Sequence, residues 1–355
     1  MNRFWVDRVA GLKPYVPGEQ PASVSLVKLN TNEHALPPST AVLDAIRAIE
    51  GDVLRRYPDP TAASLRNAIA NAESLSVEQV FVGNGSDEVL AHLWLGFLSE
   101  RSVQTLDTTY GFYPVWARLY GSDLIEVPLL SDFSVDLDAL KASADAIVLA
   151  NPNAPTGLAL SKKEIESLVV ANRNRLVVID EAYYGFGAES AAPLVPEYDN
   201  LIITRSLSKS HALAGLRVGY ALAQPELIEG LNRVKDSFNS YPLDAIAQAA
   251  AVAAVEDSAW LQQASAVVAE SRQVMAEGLG ELGFEVLPSQ ANFMFVRHHQ
   301  IPGARLFDEL RAKDILVRRW DHARISEWLR VSVGTQAQAE QLLHAVREIS
   351  RTHVS

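Results

Sequence analysis

Short apolar runs alternate with amphipathic stretches through the first two-thirds of the chain. VFVG at 80–83, AIVLA at 146–150, LVVI at 176–179 and LIITRS at 201–206 are apolar and largely β-branched, the pattern of buried strands. Between them Val89, Leu90, Leu93, Trp94 and Phe97 recur at helical spacing, and Ile165, Leu168 and Val169 do so behind a capping box of Ser161 and Glu164. Strand, loop, helix, strand is the parallel crossover unit, so the pattern predicts an α/β fold with a mostly parallel central sheet flanked by helices. Residues 243–280 are alanine-rich and free of proline, which predicts long helices leading to a smaller part. There FEVL, NFMFV, a helix from about Ala304, ILVR and WLRVSV predict a small α+β domain. A final helix is capped by Thr335 and Gln338, with Leu342, Leu343, Val346 and Ile349 on one face. The expected division is an irregular, proline-punctuated arm over 1–39, a large domain over 40–250 and a small C-terminal domain over 251–355.

Composition narrows the function classes. A chain of 355 residues, 48% hydrophobic and 21% charged, can bury a substantial core. No apolar run reaches bilayer length, and MNRFWVDRVA at 1–10 lacks the apolar centre of a signal peptide, so the expectation is a cytoplasmic protein that meets no membrane. The absence of cysteine excludes disulfides, thiolate metal sites and cysteine nucleophiles. A formal net charge of -12 repels nucleic acid and anionic membranes, so any anionic substrate must be captured by local arginines working against the global field.

The densest chemistry lies in TRSLSKSHALAGLRVG at 204–219. Lys209 follows a buried strand, and Ser206, Ser208 and Arg217 can hold a phosphate: hydroxyls donate to its oxygens and a guanidinium makes a forked contact. An ordinary lysine in a solvated loop is the bland alternative. GNGSDE at 83–88 ends a strand and opens a helix, with Ser86 as the expected N-cap and Asp87 and Glu88 in the first turn. Backbone donors at Gly85 and Ser86 make it a second phosphate anchor, or merely a well-capped helix. Asp180 follows four apolar residues and should have a cationic partner; a metal ligand or a helix cap is the other reading, and no His/Asp/Glu cluster nearby suggests a metal. Arg330 within the apolar WLRVSV strand should be paired with an anion, and Arg319 should face away from Arg318.

Five blocks, in order, carry a resemblance: RRYPDP at 55–60, GNGSDE at 83–88, NPNAPTG at 151–157, DEAYYGF at 180–186 and SLSKSHALAGLRVG at 206–219. ANFMFV at 291–296 and LRVSVGT at 329–335 extend it over nearly the whole chain. The sequence resembles the fold-type I aminotransferases that use pyridoxal 5'-phosphate, above all the histidinol-phosphate aminotransferases. The resemblance implies the aspartate-aminotransferase-like fold and a homodimer in which Tyr57 reaches the partner's cofactor phosphate; on chemistry alone Tyr57 is equally an interface or core aromatic. It implies that Lys209 is the amine that takes up the cofactor's aldehyde, that Asp180 pairs with the pyridinium N–H, that Tyr110 lies against the ring and that Tyr183 lies near its phenolic oxygen. Gly85, Ser86, Ser206, Ser208 and Arg217 would hold the phosphate, and Asp87 is also carried as a cofactor-binding residue. The family usually has an asparagine immediately before PTG to donate to the phenolic oxygen; this chain has Ala154 there, so Asn153 is carried as a candidate, with Tyr183 or water as alternatives. Arg330 matches the family arginine that grips the substrate's acidic group, and Arg318 matches the one after the preceding strand. Asn32 is a substrate candidate, but His34, Ala35 and Leu36 interrupt the family's usual turn, and pinning of the arm by Asn30 and Asn32 is an equal reading.

The implied reaction is transfer of an amino group from L-histidinol phosphate to 2-oxoglutarate, giving imidazole-acetol phosphate and L-glutamate, a step of histidine biosynthesis. An aromatic amino acid aminotransferase and a phosphorylated-amino-acid decarboxylase are rivals on the same fold. A non-catalytic cofactor-binding regulatory domain is a rival of another class, and the chain has no basic DNA-binding appendage to support it. A nicotinamide dehydrogenase lacks its G-x-G-x-x-G after a strand.

Overall fold

The computed structural model describes residues 3–20, 26–141 and 144–353. The expected arm thus lies outside the described residues at 1, 2 and 21–25, as does the expected small domain at 354 and 355. A short strand, β1 (Val27–Lys28), lies within the arm. Among the described residues seven strands build the central sheet: β2 (Val80–Asn84), β3 (Ser102–Leu106), β4 (Asp123–Val127), β5 (Ala146–Ala150), β6 (Leu176–Asp180), β7 (Leu201–Ser206) and β8 (Val218–Ala223). Their order is β2-β8-β7-β6-β5-β3-β4, with β3 to β7 mutually parallel and β8 antiparallel to both its neighbours.

Every residue of β5, β7 and β8 is buried, which is why these strands read as continuous apolar runs rather than as alternation. Their side chains still alternate between faces. Ile147, Ile179 and Ile203 join a core with Leu65 and Ile69 on one side, whereas Val148, Val178 and Ile202 join Val89, Leu93 and Trp94 on the other. Because β2, β5, β6 and β7 run the same way, their C-terminal ends open on one edge, and β8 enters the sheet from that edge. This single topological fact collects Gly85, Asn151, Asp180, Lys209 and Arg217 in one region.

Ser86 is not an N-cap. The helix begins at Gly85, Asn84 occupies the cap, and the Asn84 backbone N–H donates to Glu88 Oε2 at 2.5 Å. Gly85, at φ +79°, turns the chain straight off β2, two residues earlier than expected. The capping box of Ser161 and Glu164 forms as read, and so does the Thr335–Gln338 cap of the last helix, Gln336–His353.

The alanine-rich stretch forms helices Ala245–Glu256 and Ser258–Glu281, capped by Asp244 and Asp257. The first packs on helices Thr40–Arg47 and Ala63–Glu73 of the large part. The expected boundary after residue 250 therefore falls inside a continuous helix. Beyond it β9 (Phe284–Val286), β10 (Phe293–His298) and β12 (Leu329–Ser332) form an antiparallel sheet in the order β12-β10-β9. The short β11 (Ile315–Leu316) pairs in parallel with β1, tying the arm to the C-terminal part.

One buried charge organises the sheet's other face. Arg205 on β7 is 1% exposed; its Nε donates to Glu181 Oε2 at 2.9 Å, its Nη1 to Glu73 Oε1 at 2.6 Å and its Nη2 to Ser190 Oγ at 2.5 Å. The Tyr184 ring lies 3.6 Å from the guanidinium carbon. Four chain segments are thus joined by a charge that cannot be solvated. Arg205→Ala should strand Glu181 in the core and lower stability by about 3–5 kcal/mol. Chemical denaturation of the variant checks this; a loss under about 1 kcal/mol, the level of a surface pair, would contradict it.

Candidate active site

Lys209 owes its position to a strand that stops abruptly. Ser206 Oγ accepts from the Ser208 backbone N–H at 3.2 Å, capping the one-turn helix Leu207–Ser210 at the end of β7. Lys209 Nζ then donates to Thr31 O, in the arm, at 2.9 Å. Burial, with the Arg330 charge next in weight, pushes the Lys209 pKa down to about 8, while Glu33 and Asp87 oppose the shift. A lysine so placed is a far better base and nucleophile near neutral pH than one in water.

The cavity beside it encloses about 400 Å³. At one end lies the N-terminus of helix Gly85–Leu93, whose first backbone N–H groups have no partner within the helix. The helix can approach the sheet because Gly219 on β8 has no side chain: a Cβ there would lie 2.3 Å from Ser86 N. Arg217, at φ +53°, turns into the same end, its Nη1 donating to Ser208 Oγ at 3.1 Å and its Nη2 meeting Asp87 Oδ2 at 3.2 Å. Tyr110 OH donates to the other Asp87 oxygen at 2.9 Å. Burial, with the Asp87 charge adding to it, raises the Tyr110 pKa well above normal, so this phenol stays a donor. Helix amides, two hydroxyls, a guanidinium and an ammonium suit a phosphate dianion.

Asp180, 3% exposed, closes another wall. The expected cationic partner is not a residue of this chain: Oδ2 accepts from Tyr113 OH at 2.9 Å, and Oδ1 accepts from Thr204 Oγ1 at 3.1 Å and Ala182 N at 3.2 Å. Burial raises its pKa to about 6, against the pull of those hydrogen bonds. A buried carboxylate served only by neutral donors would be stabilised by a protonated ring nitrogen in the cavity, so the donor set fits a phosphorylated pyridine at both ends. Tyr110, Ala154, Ala182 and Tyr183 supply the walls between.

The C-terminal part contributes a second cationic group. Arg330 Nη2 donates to Asn30 O at 2.9 Å, while its Nε is buried without a hydrogen-bond partner among the described residues. Arg318 donates to the Pro17 and Val16 carbonyls of the arm at 3.3 and 3.0 Å. Arg319 points away as expected, to Asp321 and the Ser326 carbonyl. Asn32 lines the cavity with its polar groups already committed: its backbone N–H donates to Ser332 Oγ, its Oδ1 accepts from Ser332 Oγ, and its Nδ2 donates to Tyr183 OH at 3.0 Å.

Two candidates do not reach this cavity. The Asn153 amide donates to Thr108 O and Thr156 Oγ1, and its carbonyl accepts from Thr109 Oγ1, so its polar atoms are used within the loop and Ala154 takes the place on the wall. Tyr57 stands 82% exposed, stacked on Tyr241 at 4.7 Å between ring centroids. Other residues of the site escaped the sequence reading. Thr204 was within reach, since it lies two residues before Ser206 on one strand and shares its face. Tyr113, Thr31 and Tyr15 carry no local signal, because each arrives from a separate segment.

The protein family described as aminotransferase class I and II matches residues 24–346. The chain is 52% identical over 350 residues to a histidinol-phosphate aminotransferase of Acetobacter pasteurianus, covering 98% of each chain. It is likewise 52% identical to histidinol-phosphate aminotransferase 1 of Bradyrhizobium diazoefficiens, over 98% of this chain and all of that one. The solved histidinol-phosphate aminotransferase of Sinorhizobium meliloti, in complex with pyridoxal-5'-phosphate, superposes with a TM-score of 0.88 at 27% identity over 99% and 98% of the two chains. A mutant aspartate aminotransferase of Thermus thermophilus, 24% identical over 98% and 99%, shares the fold with a TM-score of 0.84.

In cofactor-free protein, Lys209 should react with trinitrobenzenesulfonate along a titration centred on about pH 8. Arg330→Gln should move that midpoint upward by removing a positive charge. Peptide mapping across a pH series checks both; a midpoint in the ordinary lysine range would contradict the first, and an unmoved midpoint the second.

Proposed function

The chain belongs to the class I and II aminotransferases, and on that premise we propose that it moves the amino group of L-histidinol phosphate to 2-oxoglutarate, with pyridoxal 5'-phosphate as bound cofactor. The products are imidazole-acetol phosphate and L-glutamate. One observation carries the reading: the cavity has two cationic groups contributed by different parts of the chain, Lys209 with Arg217 and Arg318 with Arg330, and the charges of Arg330 and Arg217, one from each group, act on Lys209. One suits the cofactor's phosphate and the other the anionic group of the substrate. The relatives' names support the choice of amine.

Bound there, pyridoxal phosphate supplies an exchangeable carbonyl and a ring that draws electrons from the substrate's α-carbon. The residues do the rest. Helix N-terminal amides at Gly85 and Ser86, with Ser206, Ser208 and Arg217, hold the phosphate. Asp180 stays ionised once a ring N–H faces it, since an adjacent cation reverses the upward push of burial. Tyr110 would lie against the ring, and Tyr183, whose hydroxyl accepts from Asn32 Nδ2 and so keeps its own proton free to donate, would serve the phenolic oxygen. Lys209 Nζ would take the proton from the substrate's α-carbon and deliver it to the carbon that carried the cofactor's aldehyde, a task suited to an amine with a depressed pKa. Arg318 and Arg330 grip the substrate's anionic end. A homodimer would bring Tyr57 of one copy to the phosphate of the other; the exposure of Tyr57, Tyr241, Leu54 and Phe238 supports that assembly.

Purified protein loaded with cofactor should use histidinol phosphate with a kcat/KM at least about a hundredfold above that for phenylalanine, because two arginines left without their dianion forfeit charge-assisted bonds. A coupled assay for glutamate over histidinol phosphate, phenylalanine and threonine phosphate checks the order. Preference for phenylalanine assigns an aromatic aminotransferase, and release of carbon dioxide from threonine phosphate assigns a decarboxylase. Lys209→Ala should abolish both turnover and the visible absorbance of the loaded protein.

A further inference from the structure

Arg318 and Arg330 are brought together by backbone pairing. The two residues form an antiparallel bridge, each N–H donating to the other's carbonyl at 3.0 and 2.8 Å. Directly paired residues project to the same side, and the ring of Trp320 meets both arginines there. Its ring lies 5.6 Å from the guanidinium carbon of Arg318 and 5.3 Å from that of Arg330, which also lies 5.5 Å over Phe293. Trp320 is half-buried and packs against the main core, which fixes its ring.

Among the described residues neither arginine forms an ion pair with a carboxylate; their hydrogen bonds go to the Val16, Pro17 and Asn30 carbonyls. Two like charges side by side, both half-buried, ordinarily require an acid between them. An acid there would consume the N–H donors and occupy the place of a ligand anion. An aromatic face stabilises a guanidinium through its quadrupole without taking a single N–H. The Arg330 Nε, buried and unpartnered, is what such an arrangement leaves available.

We propose that Trp320 is a positioning and specificity residue, the aromatic platform that holds Arg318 and Arg330 charged and spaced for a dianionic phosphate on the substrate. This rests on the reading of those arginines as the substrate's anion grip. A monoanionic carboxylate needs only one of them, so loss of the platform should penalise phosphorylated amines more than amino acids.

The test uses cofactor-loaded enzyme, in which the cofactor's own phosphate site is filled, with Trp320→Leu and Trp320→Phe. In the leucine variant the inhibition constant of inorganic phosphate and the KM of histidinol phosphate should each rise about tenfold, a change of about 1.4 kcal/mol, with kcat within about twofold, the scatter of a step Trp320 does not touch. The phenylalanine variant should recover most of the loss, since it restores a ring. Three results would overturn the proposal: no inhibition of the wild type by phosphate, an unchanged phosphate constant in the leucine variant, or no rescue by phenylalanine. If the wild type does not turn over histidinol phosphate, the choice of amine fails, while the phosphate constants still decide the role of Trp320.

Discussion

Asp180 is a buried carboxylate that its own chain supplies only with hydroxyl and amide donors. The tyrosine, the threonine and one backbone N–H satisfy its geometry, and burial still raises its pKa to about 6. A positive charge beside it would offset the cost of that burial. The position of that carboxylate is fixed by the sheet: β6 lies between β5 and β7, all of them covered on both faces, and only their C-terminal edge is open. The cavity, the lysine and the helix N-terminus lie on that edge because parallel strands leave nowhere else for them.

The arm and the C-terminal part finish what the sheet begins. Thr31 lends Lys209 a carbonyl, Asn30 lends one to Arg330, and Asn32 is clasped by Ser332 and Tyr183. The arm is itself anchored by β1 on β11. Lysine, arginine pair and arm therefore form one connected network, in which a shift of any member changes the field at Lys209 Nζ. Arg205 plays the complementary part behind the sheet, where a charge is fully matched and nothing is left to bind. The contrast separates structural charge, which is satisfied, from functional charge, which is held in readiness.

What the sequence determined by itself was whatever depends on neighbours along the chain. Continuous apolar runs marked the buried strands, and the Ser161 and Thr335 caps were legible because a capping box spans four residues. The lysine, its flanking serines and Arg217 lie within one short stretch, so their gathering beside the cavity could be read from spacing, and the ordered blocks identified the family. What only the tertiary structure decided was direction and partnership. Asn153 and Asn32 have the right chemistry, but loop geometry and a clasp from Ser332 use their polar atoms, which no local pattern records. Asp180 also meets Tyr113 and Thr204, which no local pattern announced, because those groups arrive from a helix start and a strand 67 and 24 residues away. The Arg318–Trp320–Arg330 grouping likewise exists only once Arg318 bridges to Arg330 on β12, since that backbone pairing, not proximity along the chain, brings the two arginines together.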